Sequence, residues 1–198
     1  MNIRSEPFLW IHLIGIALFP ALIGVTLVSL SVGTSFPYFV ELFLLIATGI
    51  LPILVMQLVR PFDIFSVLIF SLKPECLTDE QRQILSLFST FKQKLLSVIA
   101  ACLMLAILWL VYYLSPLAIG IADFLPQWRT LGLAIASLTF LLSNLFLQIP
   151  LSVLLVLKTK KSDLARIKPY SIAEIEQNFT VPGIKVNKIL WFLESSSR

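Results

Sequence analysis

Few residues in this 198-residue chain have the type and spacing to do chemistry. His12 is the sole histidine. A neutral imidazole offers one nitrogen lone pair, so His12 is the candidate axial ligand for a chlorophyll magnesium or a haem iron. Its position one turn into an apolar run also lets it reach lipid headgroups. Asn144 and Gln148 stand four residues apart and so share one face of a helix. Polar residues in such a place usually hydrogen-bond a neighbouring helix, and a ligand contact is the sharper alternative. Glu41, Asp123 and Arg129 fall on one side of the membrane and could form a charge cluster, with a solvated surface pair as the default. Cys76 and Cys102 share no metal-like spacing, and no disulfide between them is expected. There is no nucleophile–base pair, no two-histidine metal spacing, no phosphate loop and no pair of carboxylates deep in a span. No cofactor is expected on these grounds, and an interaction protein is favoured over an enzyme.

The elements that position these residues are membrane spans. The chain is 58% hydrophobic and 13% charged, against roughly a quarter charged in a soluble domain, and its mean hydropathy is +0.95. Four windows long enough to cross about 30 Å of hydrocarbon run over residues 8–32, 38–59, 95–119 and 130–157. The first is too long for the apolar core of a secretory signal, about 7–15 residues. Pro20, Pro52, Pro116 and Pro150 interrupt the spans, and they do not pair up as an inverted repeat requires. The expected fold is an all-α integral membrane protein. Residues 1–161 form a four-helix membrane domain and residues 162–198 a tail.

Between the second and third spans, residues 60–94 form the central loop. Joining 62–72 to the second span would bury Arg60 in hydrocarbon at about 3 kcal/mol. As a helix those eleven residues reach only about 16 Å. An interfacial helix is expected there, and a re-entrant segment with its backbone satisfied by protein is the alternative. Thr78-Asp79-Glu80-Gln81 is a capping box, with two acids suited to the helix N-terminus. Ile84, Phe88, Phe91 and Leu95 follow at helical spacing, giving an amphipathic helix that can run into the third span. Ser171-Ile172-Ala173-Glu174 is a second capping box. Residues 184–193 read equally as helix or strand. The apolar positions Ile84, Phe88 and Phe91 on the loop and Ile184, Ile189 and Trp191 on the tail need cover, and they form the expected partner-binding face.

Fourteen of the fifteen basic residues lie in the N-terminus, the central loop and the tail; Arg129 alone falls on the other side. The positive-inside rule then places both termini and the central loop in the cytoplasm. The same residues suit anionic lipid headgroups. The net charge of +4 is therefore no nucleic-acid signal.

Ser5-Glu6-Pro7-Phe8-Leu9-Trp10-Ile11-His12-Leu13 resembles the opening of the cyanobacterial low-complexity tail membrane proteins. So do Lys73-Pro74-Glu75 with Leu77-Thr78-Asp79-Glu80-Gln81-Arg82, Phe124-Leu125-Pro126-Gln127-Trp128-Arg129, and Ser143-Asn144-Leu145-Phe146-Leu147-Gln148-Ile149-Pro150. The biased tail that gives the family its name is expected where Ser195-Ser196-Ser197-Arg198 ends this sequence. The resemblance implies an oxygenic phototroph and the thylakoid membrane, and it carries no catalytic residues. The expected role is a non-enzymatic accessory or assembly factor of a photosynthetic complex, photosystem II first, with photosystem subunits and membrane lipids as partners. A small-molecule or lipid transporter, or a pigment- or haem-binding protein, is the alternative. An impermeant thiol reagent should reach Cys76 from the cytoplasmic face and not from the opposite one; labelling from the opposite face would invert the arrangement.

Overall fold

The computed structural model describes residues 3–67, 69–159 and 167–189. Four helical spans form the body: Pro7–Leu30, Tyr38–Val59, Phe91–Ala122 and Arg129–Leu157. Each is long and apolar enough to cross a bilayer. Three of the four prolines loosen their spans. Span 1 is α1 (Pro7–Ile14), a 3₁₀ turn at Gly15–Ala17, and α2 (Leu18–Leu30). Pro20 cannot bond back to Ile16, so the helix tightens just before it. Span 2 is α3 (Tyr38–Leu45), a π turn at Ile46–Ile50 ahead of Pro52, and α4 (Leu51–Val59). Span 3 is α6 (Phe91–Leu114), a 3₁₀ turn holding Pro116, and α7 (Ile119–Ala122). Pro150 sits inside α8 (Arg129–Leu157) without ending it.

Span 4 is central, being more buried than the others, and packs closely on span 1. At the contact a Cβ on Gly132 would lie 2.7 Å from the Ser29 carbonyl oxygen, so only glycine permits this approach. Leu45, Met104, Leu108, Ala136 and Phe140 fill the bundle core.

A second apolar core lies at one end of the bundle. Ile3, Phe8 and Leu9 from the N-terminus meet Phe62, Ile64 and Phe65 from the central loop. Ile84, Leu85 and Phe88 of α5 (Asp79–Phe88), Ile149 and Val153 of α8, and Ile175 and Phe179 from the tail complete it. The N-terminal segment, the central loop and the tail therefore share one end, and they form a folded cap.

The expected interfacial helix over 62–72 is not there. The segment is a hairpin of β1 (Ser66–Val67) and β2 (Phe70–Leu72), paired Ser66 to Ser71 and Val67 to Phe70. The tail supplies β3 (Ile184–Val186), parallel to β2, so the chain is not all-α. The physical reason is local. Asp63 Oδ1 accepts the Phe65 N–H at 2.9 Å, and the Ser66 hydroxyl donates to the Asp63 carbonyl. That side-chain turn competes with helix initiation, and β3 then supplies the strand partner. The amphipathic helix α5 forms with its capping box intact but stops at Phe88; Ser89 and Thr90 break it from span 3. The second box also forms, at Ser171, and starts α9 (Ile172–Asn178).

At the opposite end Glu41 and Arg129 are buried, and the expectation of a solvated pair is overturned. Arg129 Nε donates to Glu41 Oε1 at 2.6 Å, and Nη2 pairs with Oε2. Arg129 Nη1 also donates to the Leu30 and Val32 carbonyls, at 2.6 and 3.0 Å. The Tyr112 hydroxyl donates to Glu41 at 2.7 Å, so one ion pair joins all four spans. Asp123 stays exposed and outside it. Arg129→Met would strand a buried carboxylate, a loss of about 3–5 kcal/mol. Its unfolding midpoint in detergent should fall well below that of the Glu41→Gln/Arg129→Met double variant. A single variant as stable as the double would refute the coupling.

Candidate functional site

The cap is the candidate site, and its closure depends on the tail. Arg60, exposed at the end of α4, donates through Nη2 to the carbonyls of Glu176 and Phe179 at 2.6 and 3.0 Å. A guanidinium at the last carbonyls of α9 both satisfies them and suits the negative end of the helix dipole. The Thr180 hydroxyl returns a bond to the Arg60 carbonyl at 2.6 Å, and the Thr180 N–H bonds the Pro61 carbonyl at 2.9 Å. On the other flank, Gln83 and Ser86 of α5 donate to the Ile167 and Lys168 carbonyls at 2.6 and 3.1 Å. The tail is thus tied to the central loop on both sides of α9.

Gly183 closes the sheet. Its φ is +76° and a Cβ there would sit 2.0 Å from the Ile69 carbonyl oxygen, so the position demands glycine on two counts. The next residue, Ile184, donates its N–H to that same oxygen at 2.8 Å.

His12 belongs to this structure. Its Nε2 lies 2.9 Å from the Ile64 carbonyl, an acceptor, so Nε2 carries the proton. Its ring packs edge-on to Phe62 with centroids 5.7 Å apart. The cavity beside it is about 70 Å³, lined by Ile11, Gly15, Phe62 and Leu145 among others.

Asn144 and Gln148 also bond within the chain. Asn144 Nδ2 donates to the Gly49 carbonyl in the π turn at 2.9 Å, and Gln148 Nε2 donates to Asn144 Oδ1 at 2.9 Å. The π turn disturbs the regular helix ladder, and the asparagine from span 4 meets one of its carbonyls.

The six residues expected to bind a partner separate into groups. Ile84 and Phe88 are buried in the cap core, and Ile189 packs against it, so the chain itself covers them. For Ile84 and Phe88 the expected docking role is corrected on that ground. Phe91 and Ile184 are exposed. Trp191 lies outside the described residues. Where the turn at Pro74–Cys76 meets α9, the cap exposes Glu75, Cys76, Ile172 and Glu174, its far surface; among the described residues, none of these side chains bonds the sheet or the spans. Ser171 holds the Glu174 carboxyl below the usual range through its N–H and hydroxyl.

Sequence reasoning missed the roles of Arg60, Asp63 and Glu6. Arg60 had a visible signal, a charge at a span end, but its acceptors lie more than a hundred residues away. Asp63 is fully buried, and Oδ2 has no hydrogen-bond partner among the described residues. Burial pushes its pKa up to about 6, with the Phe65 N–H pulling the other way. Glu6, also buried, is raised for the same reason and bonds Gln81 Nε2 at 3.4 Å.

The arrangement defines a class, a four-span membrane protein with a folded cap at one end. The chain belongs to the low-complexity tail membrane protein-like family, whose pattern matches residues 5–191. No curated protein and no solved structure matches it.

The shift at Asp63 has a sign. The fold prefers the neutral acid, so this stabilisation is complete below the unfolded value of 3.8 and is lost as pH rises to about 6. About two pKa units correspond to on the order of 3 kcal/mol. Unfolding midpoints should fall from pH 4.5 to 6.5 and level off above. Asp63→Asn, which keeps the acceptor for Phe65, should be more stable at pH 7 and lose most of this slope. An unchanged slope in Asp63→Asn would show that Asp63 is not its source.

Proposed function

We propose that this protein is a non-enzymatic accessory or assembly factor of a photosynthetic membrane complex, with photosystem II the complex to test first. The observation that carries the reading is the preformed cap. Two capped helices, a latch at Arg60 and a three-stranded sheet hold three distant chain segments in one geometry. A surface ordered before binding avoids the entropic cost of ordering it at the moment of contact. The far surface, with Ile172 between carboxylates, fits a partner bearing a basic rim around an apolar pocket. The photosynthetic setting rests on the resemblance to the cyanobacterial family.

Truncating the tail is a poor test, because Ile175 and Phe179 complete the cap core. Surface substitutions are better. The tagged chain should co-purify photosystem subunits from native membranes. The Glu75→Lys/Ile172→Asp variant, which leaves the Ser171–Glu174 capping box intact, should insert normally and lose them at least tenfold, about 1.4 kcal/mol or more. Recovery of the wild-type chain without photosystem subunits would overturn the photosynthetic assignment. Equal recovery with the variant would overturn docking through the cap.

A further inference from the structure

The hairpin turn is chemically odd. Val67 pairs with Phe70, and the two residues between them in the sequence are apolar, as are both partners. Tight turns between strands normally carry glycine, asparagine or aspartate and face water. Here Ile69 is 64% exposed, Phe70 45% and Ile184 61%. Phe70 and Ile184 are register neighbours, and Ile184 bonds Ile69, so the three form one continuous apolar patch.

Its depth can be read from the spans. About 20 helical residues cross the hydrocarbon. Counted from the Arg129 end, they run from Leu30 to about Trp10, Tyr38 to about Leu58, Leu114 to about Lys94, and Arg129 to about Ile149. Trp10 and Lys94 are both exposed, as residues at a membrane boundary should be. The hairpin crosses that level. The Phe65 ring packs on Phe8, on the water side of Trp10, with centroids 5.5 Å apart. Val67 lines a cavity that straddles this level, with Gly15 and Leu145 on its membrane side and Phe62 and Pro150 on its water side. The strand therefore runs inward, and its turn lies deeper still.

We infer that the hairpin and the returning tail strand enter the bilayer tip-first from the cap side, and that Ile69, Phe70 and Ile184 are covered by lipid acyl chains. Non-helical backbone at such a depth must be paired, and much of it is. Leu72 N–H bonds Phe65, Lys73 N–H bonds Val186, Asp63 N–H bonds Thr180 and His12 bonds the Ile64 carbonyl. The charge on β3 is accommodated as well, because Lys185 reaches back to Glu176 on the cap at 2.8 Å. A protein partner is the other possible cover; the depth of the patch favours lipid.

The test uses the full chain alone in lipid nanodiscs. An NBD label is placed by Ile69→Cys, and separately by Phe70→Cys, in a Cys76→Ser/Cys102→Ser background. Chains keeping only Cys76, exposed on the cap, or only Cys102, exposed on span 3, are the controls. Nitroxide lipids should quench the labels at 69 and 70, a shallow nitroxide more than a deep one. Aqueous iodide should quench them several-fold less than a label on Cys76. Iodide quenching equal to that at Cys76 would overturn the inference, and so would a label reached by neither quencher. The chain is tested without any partner, so the outcome is independent of the function proposed above.

Discussion

Eleven mostly apolar residues between two spans are the constraint from which the cap follows. Residues 62–72 are too short to cross the bilayer and too apolar to be left in water. The chain folds them into a hairpin against α1 and α8 and then brings the tail back to pair with the outer strand. That solution requires Arg60 at the end of α4, glycine at 183 and a helix between them and Ile167. The tail is thus part of the fold of the central loop rather than an appendage to it.

The two ends of the bundle are held by different physics. At one end a single buried ion pair fixes four helix ends through charge-assisted bonds. Such a pair sets geometry and adds little net stability, because desolvation offsets much of its attraction. At the other end the cap buries Phe65, Phe88, Ile175 and Phe179, and stability there comes from area removed from water. One end specifies how the helices are arranged. The other closes over their termini.

What was legible in the sequence was local or one-dimensional. Span positions follow from length and composition, and both capping boxes follow from a spacing of three residues. The hairpin was not legible, because an eleven-residue apolar run has no periodicity that separates helix from strand, and the strand that decides the matter is more than a hundred residues away. Glu41 and Arg129 were placed at one end of the bundle, where they do meet, but as a solvated pair rather than a buried one. Charge counting sorts loops between the two ends; burial depends on the turn at 31–37 folding over the start of α8. Ile84 and Phe88 were rightly seen to need cover, yet a helical stripe cannot say whether its cover is another molecule or the chain's own tail.

That last ambiguity bears on function. Ile84 and Phe88 are consumed by folding, so any partner must recognise what the finished cap displays. The cap exposes two distinct chemistries: an apolar hairpin tip at Ile69, Phe70 and Ile184, and carboxylates around Ile172. The basic residues Lys92, Lys94 and Lys158 lie between them, at the ends of spans 3 and 4. Cations at that level are attracted to lipid phosphates and pull the body into one vertical position. Where lipid covers the tip, as inferred above, the carboxylate surface is held at one height and orientation above the membrane. A partner that is itself a membrane complex then meets it in two dimensions, with much of its rotational and translational freedom already removed. Modest contacts between the cap and such a complex can suffice, because the bilayer has supplied the orientation.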